Sequence, residues 1–256
     1  MLASLLKENN LNRNNSMKDL EKIISKKIGK SIFDYKMIEE NDKILIAVSG
    51  GKDSMTMLYD LINRKKSFPI KYEIEAIHIK SDFCKCCEKL NLIEKFEEWN
   101  IKYTILDVNI LKRLKPDKKM NCYWCSMQRR MELMKYAKEN NFNKIALGHH
   151  LDDIIETLFL NMFYKGEMST MLPLLKYDNY DVTIIRPLAL VKESQIIEFA
   201  KQKNISNLVC TCVYGKNSKR KTIKKAIQEF VKNDDTIKYN IFKSMQNVNF
   251  KYMLKN

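Results

Sequence analysis

No apolar run in the 256 residues approaches the ~20 needed to span a bilayer, which argues against a transmembrane helix. The opening MLASLLKENNLNRNN has neither an apolar signal core nor a small-residue cleavage site, so a cytoplasmic protein with no membrane role is expected. An even cysteine complement is also missing. Seven cysteines without a secretory leader argue against a disulfide framework and for metal binding or redox chemistry. Glycine is scarce at six, which makes any adjacent pair informative, and there is no internal repeat or low-complexity tract. Arginine supplies only 7 of the 46 basic residues. The net charge of +15 points to a polyanionic partner, most plausibly nucleic acid, against the blander reading of a lysine-rich solvated surface.

What is present is an alternation of short β-branched runs with amphipathic helical patterns, the mark of βαβ units around a parallel sheet. KILIAV (43–48), YEIEAIHI (72–79), YTILDV (103–108), KIALGH (144–149) and TIIRPL (183–188) read as strands. Helices are expected near 53–65, 88–100, 125–141 and 152–165. The expected fold is therefore α/β, an open, doubly wound, mostly parallel sheet. Residues 17–40 read as a helical lead-in with Leu20, Ile23, Ile24 and Ile28 on one face, and 192–250 as helical without a linker. The expected segments are a lead-in at 1–40, an α/β domain at 41–190 and a helical extension at 191–256 packed on the same domain.

The first strand runs into Ser49-Gly50-Gly51-Lys52-Asp53-Ser54 and then a helix. A glycine turn at a helix N-terminus, outside the carboxyl end of a parallel strand, is where an open α/β sheet binds ligands. Glycine lets the backbone approach phosphate oxygens, and first-turn N–H groups donate to them. Ser49 and Ser54 add hydroxyls, Lys52 a point charge, and Asp53 either holds Mg²⁺ or caps the helix. A Walker A loop is excluded, since Ile46 and Asp53 stand where glycine and a hydroxyl residue are required.

NCYWCSMQRR spaces Cys122 and Cys125 for a metal or cluster just ahead of a helix. With Cys210 and Cys212 they make either a Cys₄ zinc site or an iron–sulfur site with three ligands and one open iron. Cys84, Cys86 and Cys87 form an extra metal site, a relay of sulfur-carrying thiols or an incidental loop. Asp152 and Asp153 open a helix after Gly148, His149 and His150; they complement the helix dipole or, beside a nucleotide loop, bind Mg²⁺ or position an acceptor. His149 and His150 are weak zinc candidates. Arg129, Arg130 and Arg186 suit bidentate phosphate contacts. KNSKRKTIKK (216–225), containing Lys219, Arg220 and Lys221, is either a phosphate-backbone footprint or a solvated helix face.

SGGKDS resembles the PP-loop of the ATP pyrophosphatases. Together with CxxCSxxRR, ALGHHLDDIIETLFLNMFY, IRPLA and SMQNVNF it follows the order and spacing of the tRNA 2-thiocytidine synthetase family, from about Ile28 to Phe250. The resemblance implies a PP-loop, adenine nucleotide alpha hydrolase-like (Rossmann-like) fold and an ATP-dependent tRNA sulfurtransferase acting on the cytidine at position 32. Ser49 to Ser54, His78 and Gly148 would bind ATP, Asp53 would take Mg²⁺, and Asp53, Asp152 and Arg129 would serve catalysis. Cys122 and Cys125 match two of the family's three [4Fe-4S] ligands. The third lies in a PCxxC segment, shortened here to Cys-Thr-Cys; Cys210 is favoured, with Cys212 as substitute. Arg130, Arg186, Lys219, Arg220 and Lys221 would bind tRNA. Implied partners are tRNA and a cysteine desulfurase or other sulfur donor, and a homodimer is allowed. Competing readings are a PP-loop tRNA 2-thiouridine synthetase, which spacing does not exclude, and a zinc-bound RNA-binding module. tRNA lysidine synthase shares the PP-loop and histidine-aspartate motif but lacks the CxxC.

Overall fold

The run KILIA becomes β1 (Lys43–Ala47), and its central Ile44, Leu45 and Ile46 are fully buried. A continuous apolar run of this kind suits a strand covered on both faces. The two-residue period divides it, with Ile44 and Ile46 packing into one core and Leu45 into another. The computed structural model describes residues 19–82, 92–115, 119–205, 219–232, 234 and 236–254.

Around β1 lie β2 (Glu73–Ser81), β3 (Tyr103–Val108), β4 (Lys144–Ala146), β5 (Leu174–Tyr177) and β6 (Val182–Ile185). The order is β3-β2-β1-β4-β6-β5, parallel throughout except that β5 runs antiparallel to β6. From β1 the chain builds first toward β2 and β3, then on the other side toward β4 and β6. The order therefore reverses between β1 and β4, where their carboxyl ends open a crevice.

The first core holds α1 (residues 19–34), α2 (Lys52–Lys65), α3 (Leu92–Glu98) and α6 (Glu193–Gln202) against the sheet. The second holds α4 (Cys122–Glu139) through Met134 and Ala137, against Leu45, Ile77, Ile145, Val182 and Ile184. The structure bears out the doubly wound, mostly parallel sheet. It also corrects local details. β5 is an additional strand: a short edge hairpin turning at Asp181, which has φ 51°, carries too little periodicity to show in sequence. β6 stops before Arg186 because Pro187 cannot donate to a ladder. In α1 the buried stripe is Leu20, Ile24, Ile28 and Ile32, and Ile23 is half exposed.

Packing separates the described residues of Met1–His150 and Pro173–Gly215 from those of Leu151–Leu172 and Lys216–Asn256. These boundaries differ from the expected segments. α6 belongs with the sheet, whereas α5 (Leu151–Lys165) groups with α7 (Lys219–Val231) and α8 (Thr236–Ser244). In this second unit Ile154, Ile155 and Leu158 of α5, Ile223, Ile227 and Val231 of α7, and Phe242 of α8 are buried. Among the described residues no helix is long and apolar enough to cross a membrane.

Arg64, ion-paired within α2, also ties that helix to α1. Arg64 Nε donates to Asp60 Oδ2 at 2.9 Å, and its Nη2 donates to Ser25 Oγ at 2.9 Å. Burial holds the Asp60 carboxyl above its usual range despite the guanidinium. Removing one partner of such a pair strands a buried charge. Arg64→Met is therefore expected to cost ~3–5 kcal/mol in urea denaturation, and replacing both partners by apolar residues should recover most of it.

Candidate active site

The loop after β1 is closed by its own groups. Val48 N–H donates to the Ile77 carbonyl at 2.8 Å, continuing the sheet by one bond. Gly50 then takes φ 82°, a backbone region that side chains disfavour, and Gly51 starts α2 with no side-chain cap. Ser54 Oγ accepts from Ser49 N–H at 3.2 Å, lies 3.2 Å from Ser49 Oγ, and donates to the Gly51 carbonyl at 3.0 Å. The two hydroxyls thus lace the turn together. Asp53 is not the N-cap, because Gly51 occupies that position. Gly148, leaving β4, presses on the same turn: a β-carbon there would lie 2.9 Å from Ser54 N and 3.0 Å from its α-carbon.

Charges gather on this turn. Lys52 Nζ donates to Asp53 Oδ2 at 3.2 Å and to Glu193 Oε1 at 3.3 Å. Burial works against the ammonium, but Asp53 and Glu193 together raise its pKa above the ordinary lysine value. Asp53 Oδ1 lies 3.1 Å from Lys52 Nζ and 3.7 Å from His150 Nε2, yet this buried oxygen accepts no well-aligned hydrogen bond. A buried carboxylate oxygen with that unfilled capacity at a phosphate loop fits a Mg²⁺ ligand.

His78 braces the loop from β2. Its Nδ1 lies 2.7 Å from the Val48 carbonyl, and burial, opposed by that bond but reinforced by the charges of Arg129 and Lys80, lowers its pKa. Facing a carbonyl, its Nδ1–H donates. Arg186, expected among the tRNA contacts, is only 4% exposed; its Nε donates to His149 Nδ1 at 3.3 Å and braces the chain leaving β4.

The cysteine turn lies inside α4, not ahead of it. Asn121 caps the helix by accepting from Trp124 N–H at 2.9 Å, so Cys122 and Cys125 share the first turn, Cys122 exposed and Cys125 partly buried. Trp124 and Cys125 pack on Val108 and Ile110 at the carboxyl end of β3. Two thiols one turn apart at an accessible helix start suit two ligands of an iron–sulfur cluster. Cys210, Cys212, Cys84, Cys86 and Cys87 lie outside the described residues. Arg129 and Arg130 are exposed. Farther along α4, Tyr136 donates to Glu75 Oε1 at 3.0 Å, as does Thr104, and Lys102 pairs with Oε2 at 2.7 Å. This buried network fixes the helix to the sheet.

In the second unit Asp152 Oδ1 pairs with Lys238 Nζ at 2.6 Å. Arg220 donates to Asp153 at 3.0 Å, Glu156 at 3.3 Å and Thr157 at 3.0 Å. It joins α7 to α5, with its side chain still 40% exposed. Lys219 Nζ lies 4.2 Å from the Tyr164 ring centroid, and Lys221 is exposed. Sequence reading missed Glu193 and Lys238. Glu193 had one faint signal, an acid opening a helix just after IRPLA; Lys238 sits in TIKYNIF with none.

A family model described as a PP-loop domain matches residues 18–230. The chain belongs to the PP-loop family. Within it, the chain is 41% identical over 233 residues to the tRNA-cytidine(32) 2-sulfurtransferase of Alcanivorax borkumensis, covering 90% of this chain and 82% of that protein. The same-named proteins of Vibrio parahaemolyticus and Saccharophagus degradans are 38% and 40% identical, each across 90% of this chain and 78% and 75% of their own. The tRNA-cytidine(32) 2-sulfurtransferases are therefore its group within the PP-loop family. Among solved structures, the U34-tRNA thiolase NcsA from Methanococcus maripaludis, with its [4Fe-4S] cluster, superposes with TM-score 0.74 at 23% identity, covering 93% of this chain and 81% of that one. NMN synthetase from Francisella tularensis gives 0.50 at 14%, over 94% and 97%. Both likenesses concern the fold.

Two outcomes test this geometry. Gly148→Ala is expected to weaken ATP binding at least tenfold in calorimetry and to lower the melting temperature, because the new methyl meets backbone that yields only if α2 moves. For His78, the folded pKa lies below the ordinary value of 6.5, so the unfolded chain binds the proton first. The stability His78 contributes is present above that value and is lost as pH falls through the lowered folded value. Urea midpoints should fall more between pH 7.5 and 5.5 for the native chain than for His78→Gln.

Proposed function

We propose that this protein is an ATP-dependent sulfurtransferase that replaces the C2 oxygen of cytidine 32 in tRNA by sulfur. One observation carries the reading. The PP-loop at 49–54 and the thiol pair Cys122 and Cys125 both stand at the carboxyl edge of one sheet, and relatives at about 40% identity are named tRNA-cytidine(32) 2-sulfurtransferase.

An amide-like carbonyl oxygen leaves poorly until it is esterified. The C2 oxygen attacks the α-phosphate of ATP, the bond to the β-phosphate oxygen breaks, and pyrophosphate is retained by residues 49–54. A sulfur nucleophile then attacks C2 and AMP departs. Lys52 exchanges carboxylate partners for pyrophosphate oxygens, and the first-turn N–H groups of α2 add dipolar donors. Asp53 would hold Mg²⁺ through its Oδ1, where the ion offsets the charge of the leaving group. Holding two reactants in line contributes up to ~7–11 kcal/mol. Arg129, beside His78, supplies a cation for the phosphates, and Asp152 positions the acceptor. Arg130, Lys219 and Lys221 contact tRNA. Cys122, Cys125 and Cys210, or Cys212 in its place, would hold a [4Fe-4S] cluster, which supplies the carrier for the incoming sulfur. The reading places the protein in the cytoplasm, with a cysteine desulfurase or similar donor as partner.

Nucleoside mass spectrometry of tRNA from cells lacking the protein is the test. 2-Thiocytidine should disappear and should return with the native chain but not with Cys122→Ala. Persistence of 2-thiocytidine overturns the reading, and loss of 2-thiouridine in its place assigns the other base. Stoichiometric zinc in colourless, anaerobically purified protein overturns the cluster.

A further inference from the structure

Helix α4 has one face that is core at one end and bare at the other. Met134 and Ala137 lie on the sheet, fully buried or nearly so. Eleven residues before Met134, three turns along the same side, Tyr123 is 77% exposed. At about 100° per residue, Met127 and Arg130 fall within ~40° of Tyr123 and Met131 within ~80°. Met127 and Met131 are exposed, as is Arg130. Arg129 points elsewhere around the helix, and its charge is felt at His78. The start of α4 therefore presents a flat aromatic ring, two thioethers and a guanidinium beside Cys122.

We infer that this face binds a single-stranded segment of the substrate RNA, with the Tyr123 ring stacking on a base and Arg130 contacting a phosphate; the inference rests on the proposed reaction on tRNA. The chemistry selects RNA as occupant. Exposed aromatics stack on unpaired bases whatever their sequence, and arginine binds the adjoining backbone. The two acids of α4 lie on its opposite side, Glu132 about 180° and Glu139 about 160° around the helix from Tyr123, paired with Arg113 at 2.6 Å and Lys135 at 3.9 Å, which leaves this face basic. A two-fold contact with a second copy would bring the arginines together, whereas a polyanion is complementary to them. An RNA loop splayed onto Tyr123 would lie beside the thiol turn, where a C2 atom has to arrive.

The test uses the anaerobically purified full chain and an anticodon stem-loop RNA with 2-aminopurine next to cytidine 32. Tyr123→Ala is expected to weaken binding about 5- to 150-fold and to relieve the quenching of 2-aminopurine, leaving the salt dependence unchanged. Tyr123→Phe should bind within about twofold of native, since the phenyl ring still stacks. Arg130→Gln should lower the salt slope by about one. Native-like binding and quenching by Tyr123→Ala overturn the proposal, as does a Tyr123→Phe variant as weak as Tyr123→Ala. Altered oligomeric state of Tyr123→Ala in light scattering with unchanged RNA affinity overturns it too, assigning the face to a second copy. If Tyr123→Ala weakens RNA binding but cells keep 2-thiocytidine without the protein, this surface stands and the reaction falls. If 2-thiocytidine is lost and Tyr123→Ala binds normally, the reverse holds.

Discussion

Where the strand order reverses, the backbone leaving β4 and the first turn of α2 meet with no side chain between them. A β-carbon on Gly148 would stand 2.9 Å from the nitrogen of Ser54, against backbone that moves only if the helix moves. That close approach seats α2 over the sheet edge with its N-terminal N–H groups uncapped by any side chain. His78 steadies the same turn from the other flank through the Val48 carbonyl. The phosphate loop is thus a rigid object held by neighbours on both sides, which is what an in-line transfer requires of the group that retains the leaving pyrophosphate.

The resting site is already charge-paired. Lys52 lies among the carboxylates of Asp53 and Glu193, so its ammonium stays compensated despite partial burial. A polyphosphate that takes Lys52 substitutes one anion for another, and no stage leaves an isolated charge in a half-buried site. Asp53 keeps one poorly satisfied oxygen next to this pair. The same residue is therefore placed to accept a divalent ion when phosphate draws Lys52 away.

Helix α4 divides its length between structure and chemistry. Its carboxyl half is bound to the sheet by Met134, Ala137 and the Tyr136–Glu75–Thr104 network, while its first turn carries Cys122, Tyr123 and Cys125 to the carboxyl end of β3. Much of this was legible beforehand. The strands announce themselves by β-branched runs, and SGGKDS and CxxC are contiguous, so their chemistry needs no knowledge of distant residues. The helix start at Asn121 was also legible in principle, because asparagine is a strong N-cap, but the apolar periodicity begins later and drew the boundary inward. β5 was not: four residues at a sheet edge, three half-buried and one exposed, have no distinctive period.

The linear chain by itself determined the alternation of strands and helices, the phosphate-loop chemistry and the thiol pair, because each depends on residues within a turn or two of one another. Only the tertiary structure decided what the isolated charges do. Lys52 meets Glu193 from 141 positions away, and Asp152 meets Lys238 from 86. Arg186 is buried beside His149, and Arg220, partly exposed, spans α5 and α7. The physical reason is that an ion pair requires only proximity and compensated desolvation, neither of which leaves a periodic trace in the sequence.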